Sequence, residues 1–153
     1  MARIAFILLC HKDPAGIIAQ AQRLTAAGDF VAIHFDGRAA SKDYDLIKTA
    51  LEPNQSVTFA KRRVKCGWGE WSLIDATLQA VQAAVEQFPR ATHFYMLSGD
   101  CMPIKSAEYT HDFLDKEDVD YIESFDFFKS EWIKTGIKQE RLIYQSEERR
   151  VGK

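Results

Sequence analysis

Four short polar clusters, each directly after an apolar run, hold the side chains that could do chemistry in this chain. His11-Lys12-Asp13 follows the first run, Asp36-Gly37-Arg38 the second, Lys61-Arg62-Arg63-Val64-Lys65 the third, and Ser98-Gly99-Asp100-Cys101 the fourth. A carboxylate such as Asp36 can accept from a ribose hydroxyl or a base N–H, and Arg62 and Arg63 suit an anionic group such as a diphosphate. Ser98, Gly99 and Asp100 combine a hydroxyl, a residue permitting close approach and a carboxylate, and Pro103 then ends ladder hydrogen bonding. Each cluster also has a plain structural alternative. Asp100 suits the capping of a tight turn, His11 suits a turn, and Asp36-Gly37 is a common turn dipeptide. The basic run from Lys61 to Lys65 reads equally as a solvated edge. Trp68 and Trp71, on either side of Gly69, read either as core anchors or as indoles on which a sugar stacks. No G-x-G-x-x-G follows the first run and no P-loop is present, which disfavours a dinucleotide enzyme and ATP or GTP hydrolysis.

The elements that must position these clusters follow from hydrophobic pattern. Ile4-Ala-Phe-Ile-Leu-Leu-Cys10 is a continuous apolar run of strand length, suited to burial on both faces of a parallel sheet. Asp13 then predicts an N-cap with Pro14 at the first helical position, and Ile17, Ile18, Ala21 and Leu24 mark one face of a helix stopping at Gly28. Residues 30–35 predict a second strand, 41–51 a helix with Tyr44, Ile47 and Leu51 on one side, and 56–59 a third strand. A long helix follows from Trp71 or Ser72 to Pro89, with Leu73, Ile74, Leu78, Val81, Val85 and Phe88 at helical spacing. Residues 94–97 predict a short buried strand, Ser106 an N-cap for a helix through Phe113 and Leu114, and 121–123 a fifth strand before an aromatic segment, 125–132. Strands alternating with helices of this length predict an α/β fold with a doubly wound, mainly parallel sheet. In such a sheet the four clusters lie at the same edge, outside the carboxyl ends of the strands, where ligands bind.

At 153 residues, 46% hydrophobic and 27% charged with net charge −2, the chain is one domain's worth of soluble globular protein. That charge balance argues against a partner recognised through bulk charge, nucleic acid included. Three scattered cysteines with no C-x-x-C spacing suit neither a disulfide framework nor a structural zinc site, and predict reduced, mostly buried thiols in a cytoplasmic protein. No apolar run reaches membrane-span length and no cleavable signal precedes the first strand. The end of the chain, residues 146–153, is polar and unrelated to the rhythm before it, and reads as a non-native tail.

Four segments then carry a specific resemblance. Ile4-Ala-Phe-Ile-Leu-Leu-Cys-His-Lys-Asp-Pro14, Ile33-His-Phe-Asp36, Val64 through Trp68-Gly-Glu-Trp-Ser-Leu73 with Ala76-Thr77, and Leu97-Ser-Gly-Asp-Cys-Met-Pro-Ile104 occur in this order in one family. They resemble the core-2/I-branching glycosyltransferases, which include the peptide O-xylosyltransferases, over roughly residues 4 to 144. The resemblance implies a GT-A-like, Rossmann-related domain and inverting transfer of an N-acetylglucosamine- or xylose-type sugar from a UDP-sugar to a glycan or protein acceptor. It implies no metal cofactor, and the chain has no Asp-X-Asp at the end of the fourth strand. It sets His11 beside the nucleotide, Asp36 on the uridine, Trp68, Gly69 and Ser72 around the cleft, and Ser98, Gly99 and Asp100 at the sugar–diphosphate end. Arg38, Arg62 and Arg63 complete the binding candidates.

The chain departs from the family at one point: members read Ser-Gly-X-Asp-X-Pro, whereas here Asp100 directly follows Gly99 and Cys101 takes the aspartate's place. The resemblance also puts the catalytic base and the diphosphate-binding basic residues downstream of the chain's end, and nothing promotes Glu123 to that base. The expectation is therefore a donor-binding part, residues 1–145, of a glycosyltransferase domain truncated at its C-terminus. A peripheral membrane association of the longer protein is compatible with it. The alternative is a non-catalytic nucleotide- or sugar-binding α/β module; a receiver domain is disfavoured because no acidic pair follows the first strand.

Overall fold

The computed structural model describes residues 2–116 and 119. The chain divides into two compact units, Met1–Asp118 and Val119–Lys153, and the described residues belong to the first apart from Val119. The strand expected at 121–123, the aromatic segment 125–132, Glu123 and the tail 146–153 lie outside the described residues.

The elements run β1 (Ile4–Cys10), α1 (Pro14–Thr25), β2 (Phe30–Phe35), α2 (Ser41–Leu51), β3 (Val57–Phe59), α3 (Trp71–Gln87), β4 (His93–Ser98) and α4 (Ala107–Lys116). The four strands form one parallel sheet in the order β3-β2-β1-β4. The inner pair, β1 and β2, are the apolar runs 4–10 and 30–35, the second broken only by His34, and alternation along them separates two cores. Ile4, Phe6, Leu8 and Cys10, with Val31, Ile33 and Phe35, pack on α1 and α2 through Ile17, Ala21, Leu24, Ile47 and Leu51. Ala5, Ile7, Phe30 and Ala32 face the other way, onto Ala80, Ala84 and Phe88 around α3. Helices on both faces make this the doubly wound α/β arrangement, and side chains such as Ile7, Leu8, Ile17 and Ile33, fully withdrawn from water, contribute roughly 1.5–3 kcal/mol each by transfer.

The cap of α1 fixes how the chain leaves β1. Asp13 sits in the left-handed region at φ 52°, a conformation aspartate tolerates, and its Oδ1 accepts from the Gly16 amide at 3.1 Å while Pro14 opens the helix. The helix ends at Thr25, three residues before the expected Gly28, which instead closes the following turn at φ 87° with its N–H on the Thr25 carbonyl. On α4, Ser106 Oγ accepts from the Tyr109 amide as an N-cap should. Buried His111 of the same helix meets the carboxylate of buried Asp29 at 2.8 and 2.9 Å, and that carboxylate also accepts from Ile4 N.

Two expectations need correction. Of the apolar positions at helical spacing, Phe88 and Val81 pack on the sheet beside Ala80 and Ala84, whereas Ile74, Leu78 and Val85 are exposed and the remaining buried side chains of α3 are Ala76 and Ala83. A helix crossing strands that present Ala5 and Ala32 approaches closely, so Ala80 and Ala84 share the contact with Val81 and Phe88, and Ile74, Leu78 and Val85 are left outside it. The fourth strand is not buried: β4, like β3, is an outer strand among the described residues, and Phe94, Tyr95 and Met96 are exposed. Leu97 alone along β4 enters a core.

Candidate functional site

All four strands run the same way, so the four polar clusters do gather at one edge of the sheet. From β1 the chain steps outward to β2 and β3 on one side, and β4 lies on the other side of β1. The strand order therefore reverses next to β1, and such a switch point opens a crevice at the carboxyl ends. Two backbone bonds set its rims: Cys10 O accepts from Asp36 N and Leu9 O accepts from Gly99 N, both at 2.9 Å. The Asp36 and Gly99 turns thus flank the end of β1, roughly 10 Å apart by two strand spacings.

On the β4 side, His11 and Lys12 with Ser98, Gly99 and Asp100 line a recess of about 40 Å³. His11 is exposed there. The Lys12 ammonium holds the Asp100 carboxylate at 3.1 Å, and Ser98 Oγ donates to Cys101 Sγ at 3.1 Å. The Ser98–Gly99 peptide is fixed at both edges: its N–H is on Leu9, and its carbonyl accepts from the Cys101 amide and from Gln20 Nε2 at 3.1 Å. Gln20 Nε2 donates to the Cys101 carbonyl as well. Gly99 itself is pressed against β1 and α1, for a Cβ there would lie 2.7 Å from Ile17 Cδ1 and 2.9 Å from Cys10 Cβ.

On the β2 side, the turn after the strand and the loop after β3 are tied together by named groups. Asp36 Oδ1 accepts from Arg38 N at 2.6 Å and from Cys66 N at 3.3 Å. Gly37 N donates to Val64 O, and Val64 N donates to Nε2 of buried His34 at 2.8 Å. That bond requires the neutral ring with its proton on Nδ1. Desolvation lowers the His34 pKa, with the Asp36 carboxylate offsetting part of the shift. Arg63 wraps the same turn, donating to the carbonyls of Phe35, Asp36 and Ala39 and lying over the rings of Tyr44 and Phe35 at 4.7 and 5.6 Å. Arg62 pairs with Asp75 of α3 at 2.7 Å. Of the three arginines named from the sequence, Arg38 is the one whose guanidinium has no ion pair or hydrogen bond among the described residues, so it can face an anionic ligand.

The Trp68 loop extends this side. Ser72 Oγ accepts from Gly67 N at 2.9 Å, and Gly69 takes φ 70°. Trp68 and Trp71 stand 99% and 68% exposed, so neither is a core anchor. The cysteines divide: Cys10 is buried and its thiol is pushed up to about 12 by desolvation, Cys66 is half-buried and raised for the same reason, and Cys101 is exposed, contrary to the expectation of mostly buried thiols.

Three residues of this edge had not been singled out from the sequence: Gln20, His34 as an acceptor, and Lys12 as the partner of Asp100. The first two have a visible signal, a polar residue inside an otherwise apolar stripe or strand. A larger cavity, about 400 Å³, lies under residues 102–107 against Phe6, Leu24 and Tyr95, and shares no residue with the recess. Among the described residues no group of three His, Cys, Asp or Glu side chains is placed to hold a metal ion, and no helix is long and apolar enough to cross a membrane.

The fold and the switch-point edge define an α/β protein with a ligand crevice at the carboxyl ends of its strands. The family model of the Core-2/I-Branching enzymes matches residues 4–148, and the chain belongs to that glycosyltransferase family. No curated protein matches it.

Proposed function

We propose that this chain binds a UDP-sugar across the switch point and serves inverting, metal-independent transfer of an N-acetylglucosamine- or xylose-type sugar to a glycan or protein acceptor. The observation that carries the reading is the pair of turns flanking β1, with Asp36 on one side and Ser98, Gly99 and Asp100 on the other. Asp36 Oδ2 has no hydrogen bond among the described residues, so the carboxylate can hold the backbone with one oxygen and accept from a uracil N–H or ribose hydroxyl with the other. His11 borders the nucleotide, and the edge formed by His11, Ser98, Gly99 and Asp100 faces the diphosphate–sugar end. Departure of UDP leaves charge on the diphosphate, which a cation such as Arg38 stabilises. Trp68, on the rim, offers an exposed indole face to a sugar ring.

Calorimetric titration of the chain with UDP, UDP-N-acetylglucosamine and UDP-xylose tests the reading. Binding of UDP, tightened by one of the sugars, is expected. A folded chain that binds none of the three sinks it.

A further inference from the structure

We infer that Gln20 is a positioning residue that sets the Ser98–Cys101 turn for the sugar–diphosphate end of the donor; the inference rests on the nucleotide-sugar reading above. Gln20 lies inside the buried stripe of α1, with Ile17, Ala21 and Leu24. An apolar residue of the same length would fill that place without burying an amide. Its carboxamide is instead directed at β4: Nε2 donates to the carbonyls of Ser98 and Cys101, while Oε1 is buried without a partner among the described residues. A helix that keeps an unsatisfied buried oxygen in order to keep the NH₂ is using the NH₂.

The two carbonyls it holds determine what the turn offers a ligand. A peptide unit is planar, so fixing a carbonyl fixes the amide on the far side. The Ser98 carbonyl and the Gly99 N–H belong to one plane, already engaged at both edges by Gln20 and Leu9. The Cys101 carbonyl fixes the next-but-two plane. Between them, the Asp100 N–H has no acceptor among the described residues. Gln20 thus holds both ends of a turn whose middle amide is left as a donor, beside the Ser98 hydroxyl and the recess of His11 and Lys12. An amide donor at that place suits an anionic oxygen or a sugar hydroxyl.

The test compares wild type with Gln20→Met, which keeps the length and loses both donors, and with Gln22→Met, the same change at an exposed position of α1. Each is titrated with uridine, UDP and UDP-N-acetylglucosamine, so that the gain in affinity from uridine to UDP-sugar is read separately from uridine binding. Gln20→Met is expected to leave uridine affinity within about twofold and to cut the gain from the diphosphate and sugar by about tenfold or more. Gln22→Met is expected to match wild type. A residue with a merely structural role would lower all three affinities together, and that result, or an unchanged gain, overturns the proposal. The wild-type chain supplies a reading independent of mutation: the Asp100 backbone amide resonance should move with UDP-N-acetylglucosamine and stay put with uridine. An unmoved resonance overturns the proposal while leaving the nucleotide-sugar reading intact. A wild type that binds none of the ligands overturns that reading, and the proposal with it.

Discussion

The ring of His34, on an inner strand, accepts the Val64 amide at 2.8 Å and so fastens the loop after β3 to β2. Desolvation holds its pKa below the ordinary 6.5, with Asp36 and, more weakly, Asp75 pulling upward and Arg63 pushing down. The unfolded chain therefore takes up a proton as pH falls through 6.5 while the folded chain resists it. Stability from the neutral ring is whole above that pH and is lost as pH falls toward the lowered folded value. The melting temperature is expected to drop between about pH 7.5 and about pH 5, and His34→Gln, which cannot titrate, should show a shallower drop. Identical slopes in the two proteins would assign the pH dependence to other groups.

Asp36 has two duties that substitution can separate. Its Oδ1 accepts from Arg38 N and Cys66 N, a structural task that an asparagine oxygen can repeat. Its second oxygen is the proposed acceptor for uridine. Asp36→Asn is expected to keep the melting temperature near wild type and to weaken UDP binding on the order of tenfold or more, since charge-assisted bonds contribute about 1.5–3 kcal/mol. Asp36→Ala should lower both. Paired titrations and melting curves decide the matter, and unchanged UDP affinity in a folded Asp36→Asn protein removes Asp36 from the nucleotide site.

What was legible in the sequence follows from how local each signal is. The runs 4–10 and 30–35 are apolar but for His34, and Asp13-Pro14 marks the start of α1, so these elements appear where the pattern places them. The α3 face is legible at Val81 and Phe88 but not at Leu78 and Val85, because hydrophobicity ranks those two above Ala80 and Ala84, while the sheet selects for size. An apolar run alone does not say whether a strand is inner or outer, hence the exposure of Met96. The gathering of the four clusters was legible from topology. Which arginine faces outward was not, because the choice between Arg38, Arg62 and Arg63 depends on carbonyls and on Asp75 that are distant in the chain.

That division among the arginines is itself testable. Arg62–Asp75 is an exposed pair, so Arg62→Leu should cost under about 1 kcal/mol. Arg63 satisfies three carbonyls and covers two rings, so Arg63→Leu should cost about 2 kcal/mol or more. Urea titrations of the two variants give the comparison. Equal losses would mean that the Arg63 contacts contribute no more than a surface ion pair.

Metal dependence has a direct check. The Asp100 carboxylate is engaged by Lys12, and the proposed donor site relies on amides and side chains rather than on a divalent ion. UDP affinity is expected to be the same with and without EDTA. Loss of binding on chelation, restored by Mn²⁺, would make Asp100 a metal ligand.

The close packing of Gly99 leads to the last prediction. A methyl group on Gly99 would meet Cys10 Cβ on β1, which cannot move without the strand, and Ile17 Cδ1 on α1, which can. Gly99→Ala is therefore expected to cost about 1–3 kcal/mol through overpacking, shifting the Ser98–Cys101 turn outward. Ile17→Val alone removes the Cδ1 methyl and should cost about 0.5–1.5 kcal/mol. Combined, the two changes should cost less than their sum, because the space vacated by Cδ1 receives part of the new methyl. A double-mutant cycle from urea melts measures the difference. Additivity within about 0.3–0.5 kcal/mol would show that Ile17 does not confine Gly99, and would assign the close packing to Cys10 Cβ.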